Sequence, residues 1–317
     1  MKRHARAATI ITSQWPRVIA ESIGLRAPAY APRVPQGAIP DRDRWEASRF
    51  AACWLGHATA LLRLGESTVL TDPVFEDRAG VRIGGRQIGR LRSTALPAHI
   101  NALPPVDIVL LSHAHFDHWC RASLERLANQ RTVAVIPART RRLLPRGFGH
   151  VIELATDDSV DLDGLHITAM RVNHWGARYL IDRRRGCNAY LIELDAARRA
   201  RTLFAGDTAH THGFDVLSTT GGSGGLSTDS AGGRGVDLAI LGIGGYRWER
   251  HHCTPEQAAQ MARRMGARRI MPIHHGTFRD AHEPIDEPLQ RLRAAWEKEG
   301  TGELVSAEVG CAWWGDS

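Results

Sequence analysis

The sequence has almost no lysine, no long apolar run and no paired cysteines. Of its 41 basic residues only Lys2 and Lys298 are lysine, so the formal net charge of +7 is carried by arginine. No stretch approaches the ~18 to 20 consecutive apolar residues of a spanning helix. The opening segment offers only Ala7 to Thr12 as an apolar run, too little for a secretory core of ~7 to 15 residues. A cytoplasmic protein is expected, with the inner membrane face as a peripheral location. The five cysteines (Cys53, Cys120, Cys187, Cys253 and Cys311) are odd in number, far apart and form no CxxC. They suggest neither a disulfide framework nor a thiolate zinc site, so any metal must sit on other ligands. No internal repeat is visible, and no aromatic-basic motif marks a specific nucleic-acid surface.

What remains is a globular composition, 43% apolar and 24% charged over 317 residues, long enough to bury a substantial core. Residues 1–48 hold five prolines and read as an N-terminal extension that wraps or precedes the main domain, 49–317. Within it Trp15, Val18, Ile19 and Ile23 fall near helical spacing, which suits packing onto the main domain or a peripheral membrane contact. Short apolar runs predict strands over 49–55, 58–64, 67–71, 107–111, 132–136, 165–172, 188–194, 202–205, 236–241 and 269–273. Helical patterns cover 121–129, 255–265 and 287–298, the second with Pro255 at its first turn. Opening hairpins followed by interleaved strands and helices predict two packed sheets with helices outside. The stretch 218–235, with seven glycines among eighteen residues, reads as a mobile surface loop.

Sixteen histidines are the informative excess. The strand ending at Leu111 runs into His113-Ala114-His115-Phe116-Asp117-His118. Imidazoles and a carboxylate crowded at a strand mouth are costly unless a cation neutralises them, and His nitrogen with Asp oxygen is a set that Zn²⁺ and similar ions accept. His113 and His115 can point one way and Asp117 and His118 another, so two neighbouring metals can share the segment. Three later strands stop at Asn173-His174-Trp175, Gly206-Asp207-Thr208 and His274-His275-Gly276, implying one rim fed by several strands.

The order HxHxDH, His, GDT and His resembles the metallo-β-lactamase fold superfamily. More narrowly, Trp54-Leu55-Gly56-His57-Ala58-Thr59, Leu70-Thr71-Asp72-Pro73-Val74-Phe75, Leu103-Pro104-Pro105-Val106-Asp107 and Ile273-His274-His275-Gly276-Thr277-Phe278 resemble the N-acyl-phosphatidylethanolamine-hydrolysing phospholipase D branch. The L-ascorbate-6-phosphate lactonase-like branch shares many of these segments. The resemblance covers residues ~50 to ~280 and implies an α+β fold, a four-layer αβ/βα sandwich. It makes His113, His115 and His174 ligands of one metal, Asp117, His118 and His274 ligands of a second, and Asp207 the bridge. It also implies that Asp72 orients a ligand histidine and that His57, Tyr246 and His252 line the site or its pocket. Asn173, where those relatives usually have Gln, and Trp119-Cys120 depart from the branch pattern near the expected substrate.

The expectation is a hydrolase holding two divalent ions, Zn²⁺ foremost, with Mn²⁺ or iron as alternatives. Asp117 would orient the attacking water and take its proton. A phosphodiester, of phospholipid type, leads as substrate; a lactone or ester of an anionic sugar acid is second. Nuclease activity is third, and a metal-bound, non-catalytic interaction protein is the reading from another class.

Overall fold

The computed structural model describes residues 16–28, 30–179, 182–194, 200–218, 235–248, 250–278, 283–299 and 302–315. Trp15 and most of the glycine-rich stretch, 219–234, lie outside the described residues.

Alternation decides the layers. In β1 (Phe50–Gly56), Ala52 and Trp54 join an inner cluster while Ala51, Cys53 and Leu55 join an outer one. This is the two-residue period of a strand whose faces are both covered. The strands β2 (Thr59–Leu64), β3 (Ser67–Thr71), β6 (Ile108–Leu110), β7 (Val133–Pro137), β8 (His150–Leu154) and β16 (Ala312–Trp314) complete a sheet of order β16-β1-β2-β3-β6-β7-β8. The second sheet runs β15-β14-β13-β12-β11-β10-β9. Its strands are β9 (Ser159–Leu162), β10 (Leu165–Arg171), β11 (Asn188–Leu194), β12 (Arg201–Phe204), β13 (Leu238–Gly242), β14 (Arg269–Ile273) and β15 (Glu303–Leu304).

Between the sheets Trp54, Leu62, Val69, Ile108 and Val135 meet Ile167, Tyr190, Phe204, Ile240 and Met271. Each such side chain contributes roughly 1.5 to 3 kcal/mol of burial. Outside the first sheet lie Trp45 of α2 (Arg42–Ala47) and Leu124 and Leu127 of α3 (Arg121–Leu127). Outside the second lie α4 (Pro255–Arg264), opened by a Thr254/Gln257 capping box, and α5 (Glu287–Glu299) through Leu292 and Trp296. The order helix, sheet, sheet, helix is the expected four-layer α+β sandwich. Trp45 is fully buried and its indole donates to Thr68, so the chain already packs on the first sheet before residue 49.

Strand direction positions the site. β3, β6, β7 and β8 are parallel, and β1, antiparallel to β2 as β2 is to β3, points the same way as β3. In the second sheet β12, β13 and β14 are parallel, and β10 shares their direction because β11 opposes both β10 and β12. The segments after β1, β3, β6, β10, β12 and β14 are those that carry His57, Asp72, the 113–118 run, His174, Asp207 and His274.

A hairpin of β4 (Arg78–Ile83) and β5 (Arg86–Leu91), turning at Gly84-Gly85, projects between β3 and β6 in sequence. The helical turn α1 (residues 16–22) lies against it: Ser22 Oγ donates to Gly89 O, and Arg78 and Arg86 reach the Glu21 and Ile23 carbonyls.

Candidate metal centre

All seven residues expected as ligands come together. His113, His115, His174 and Asp207 each offer one donor atom, all within 4.8 Å of one another, and so do His57, Asp117, His118 and His274. In the first group His113 Nε2 lies 2.8 Å from His115 Nδ1, which lies 3.3 Å from His174 Nε2. Asp207 stands between the groups. Its Oδ2 is 3.1 Å from His118 Nε2, 3.7 Å from His113 Nε2 and 3.8 Å from His174 Nε2, and its Oδ1 is 3.4 Å from His274 Nε2. His118 Nε2 and Asp207 Oδ1 are buried without a hydrogen-bond partner. Donor atoms about 3 to 4 Å apart, with His118 Nε2 and Asp207 Oδ1 left unpartnered, suit ligands around a third atom at ~2 Å, and neutral imidazole with carboxylate is a donor set for Zn²⁺ and related ions. The residues present therefore fit divalent cations.

The backbone bends unusually here. His57, Asp72 and His274 all adopt positive φ, at 53°, 32° and 59°. Such conformations cost on the order of 1 to 3 kcal/mol for residues with a Cβ and persist where the surroundings over-determine them. The surroundings do so: His57 O accepts from both the His274 N–H and Trp54 Nε1, and Ser112 N and Oγ donate to the two Asp72 oxygens.

Outer partners fix the rings. Asp72 Oδ2 is 2.6 Å from His118 Nδ1, leaving Nε2 for the site, and the His251 carbonyl accepts from His174 Nδ1. His57 Nε2 sits 2.9 Å from Asp117 Oδ2. Asp117, at 24% side-chain exposure against 2% for Asp207, is the carboxylate open to solvent. His252 Nδ1 stands 3.8 Å from Asp207 and groups with Asp207 and His274. Tyr246 is placed differently: its hydroxyl donates to Glu287 on α5 and its ring lies under Arg291.

Sequence reasoning passed over Arg178. Its guanidinium donates to the carbonyls of Ala114 and Trp119, 3.0 Å each, and covers the Phe116 ring at 3.9 Å, stapling both ends of the 113–118 loop. A lone arginine four residues after His174 gives no periodic or motif signal, so nothing local could have found it.

Burial keeps most of these imidazoles neutral, assisted by their mutual repulsion. It drives His113 well below the usual histidine range and takes His57 to about 4 and His174 to about 3. His118 is the exception: Asp207, Asp117 and Asp72 together outweigh its burial and raise it to about 10. Burial would raise Asp207, but His118, His274 and His252 hold it well below the carboxylate range. In the cation-free chain, histidines depressed below 6.5 contribute stability above that pH and lose it as pH falls, because the unfolded chain takes up protons first. The melting temperature of the cation-free protein is therefore expected to fall as pH drops from 6.5 toward 4. A melting temperature unchanged across that window in a calorimetric series would contradict the buried neutral cluster.

Residues 67–275 match the family described as beta-lactamase superfamily domain. An uncharacterized protein of Mycobacterium tuberculosis is 32% identical over 272 residues, 83% of this chain and 68% of that one. The N-acyl-phosphatidylethanolamine-hydrolyzing phospholipase D 1 of Caenorhabditis elegans is 29% identical over 284 residues, 83% of this chain and 75% of its own length. Among solved structures, a possible metal-dependent hydrolase from Veillonella parvula shares the fold, with a TM-score of 0.61 at 16% identity over 84% of this chain and 100% of that one. The match runs from β3 to the residue after His274 and takes in seven of the eight donors of the two groups, all but His57, and the chain belongs to the beta-lactamase superfamily domain family.

Proposed function

We propose that the chain is a metal-dependent hydrolase that holds two divalent cations, Zn²⁺ foremost, and cleaves a phosphodiester of phospholipid type. The observation that carries this reading is Asp207 set between two groups of donors, each large enough to hold an ion. In this reading His113, His115 and His174 hold one cation, Asp117, His118 and His274 the other, and Asp207 both. Bound cations there supply Lewis-acid polarisation of the scissile group and acidify water. The protein's own part is orientation and proton transfer. Asp117, the solvent-facing carboxylate, takes the proton from the attacking water; His118, His274 and His57 keep it ionised, and His57 donates to it and keeps it aimed. Asp72 and the His251 carbonyl keep the proton on Nδ1 of His118 and His174, so that Nε2 faces the site.

A lipid substrate draws support from the 29% identical phospholipase D and from the lobe of α1 and the β4–β5 hairpin. That lobe exposes Ile19, Ile23, Leu25 and Ile83 beside the exposed arginines Arg17, Arg26, Arg82 and Arg86, a mixture suited to an anionic bilayer surface. Among the described residues no helix is long and apolar enough to cross a membrane.

The test is a panel assay on the metal-loaded chain with elemental analysis alongside. N-acyl phosphatidylethanolamine in anionic vesicles and bis(4-nitrophenyl) phosphate should be turned over, with about two cations per chain. Turnover of a lactone but not of either phosphodiester would overturn the substrate class, and a chain that takes up no cation would overturn the whole reading.

A further inference from the structure

His118 and His174 each have an acceptor on the ring nitrogen turned away from the site, Asp72 Oδ2 and the His251 carbonyl. For His113 the atom in that place is Ser112 Oγ, 2.9 Å from Nδ1, while Nε2 faces His115 and Asp207. A hydroxyl can give or take a hydrogen bond, so the direction of its single proton decides which nitrogen of His113 is bare.

That proton is already committed. Ser112 Oγ lies 2.5 Å from Asp72 Oδ2, and both side chains are fully buried. Asp72 also takes the His118 Nδ1–H at 2.6 Å and the Ser112 N–H at 2.7 Å, the pattern of an ionised carboxylate, which can only accept. A Ser112 hydroxyl turned to His113 would leave two sets of lone pairs facing each other at 2.5 Å with no water to relieve them. Ser112 Oγ therefore has only lone pairs for His113, whose Nδ1 carries the hydrogen and whose Nε2 is bare. Nor is the serine free to move. Its carbonyl accepts from Asn188 N of β11 at 3.0 Å, and a Cβ on Gly206 would come within 2.6 Å of the Ser112 Cβ, so the turn carrying Asp207 packs directly on it.

We propose that Ser112 is a positioning residue for the first donor group: it passes the hold of Asp72 across to His113, so that one buried carboxylate sets the tautomer of a ligand in each group. His113 stands with His115 and His174, and His118 with Asp117 and His274. Among the described residues no hydrogen bond joins Asp72 to His113 directly, and the hydroxyl is the link. The role of Ser112 rests on reading the cluster as a cation site, though not on the substrate, and the chain of hydrogen bonds itself needs no ion.

The test reads the tautomer first, in the full chain freed of cations by a chelator. Long-range ¹H–¹⁵N correlation spectra of the histidine-labelled protein at neutral pH should show a neutral His113, identified by the loss of its signals in His113→Gln, with the hydrogen on Nδ1. Ser112→Ala removes the acceptor and should move that hydrogen to Nε2. Asp72→Asn should do the same at a distance, because its NH₂ would donate to Ser112 Oγ and release the hydroxyl to His113. The paired readout is zinc affinity by competition with a chromophoric chelator, where Ser112→Ala should bind one cation about 10-fold more weakly or worse. A hydrogen on Nε2 in the unaltered protein, or a His113 tautomer untouched by both variants, would overturn the proposal. So would a Ser112→Ala protein that holds zinc as tightly as the unaltered chain. An unaltered chain with the expected tautomer that took up no zinc would overturn the cation reading and the role of Ser112 with it, and the spectra would show that the failure lay there and not in the hydrogen bonds.

Discussion

Replacing Asp207 by alanine is expected to lower turnover on the order of a thousandfold or more and to leave the purified protein short of cation. The side chain is 2% exposed and lies within 4 Å of His113, His118, His174, His252 and His274, so no neighbouring carboxylate stands ready to replace it. Asp117 is its nearest rival in charge, but it faces His57, His118 and His274 rather than the first group. The loss should therefore reach both donor groups, unlike that of His115, which serves one. Metal content by elemental analysis, read beside kcat and far-UV circular dichroism, separates this from unfolding. A folded Asp207→Ala protein that retained two cations and near-normal turnover would refute the assignment.

Asp72 gives the second large effect without reaching a cation. Its carboxylate is fully buried and takes three donors, Ser112 N, Ser112 Oγ and His118 Nδ1. Asp72→Ala strands all three, each at about 1 to 3 kcal/mol, and frees the His118 ring. Asp72→Asn is the sharper variant. Its amide can still accept from Ser112, but an NH₂ turned toward Nδ1 would favour the wrong tautomer of His118, with the proton on the nitrogen meant for the cation. A loss of about 10- to 100-fold in cation affinity is expected for Asp72→Asn, measured by competition with a chromophoric chelator. Unchanged affinity in a protein with unchanged melting would show that Asp72 serves the fold alone.

The ten strands expected from apolar runs all form: most are buried along nearly their whole length and read as apolar segments, and β10, buried at alternate residues, reads through its two-residue period. Elements with one open face were harder to read. β4 and β5 carry Arg78, Arg82, Arg86 and Arg90 around two glycines, and β8 and β9 are edge-side strands of mixed polarity. The Gly84-Gly85 pair was the one local signal for the hairpin. At the site, spacing showed which side chains gather but not how they divide. His57, a turn residue by sequence, stands in the same donor group as Asp117, His118 and His274 because positive φ at Gly56 and His57 folds the β1–β2 turn inward. The partners of Arg178 come from elements distant in the chain, which no local pattern encodes.

The parallel pairings β3–β6, β6–β7, β12–β13 and β13–β14 have a kinetic consequence. Such pairings close long loops before they are rewarded, so they form slowly. The donors wait on them, since they hang from strand ends in both sheets, from residue 57 to residue 274. During refolding, high-affinity capture of an ion should then be among the last events, trailing the recovery of secondary structure.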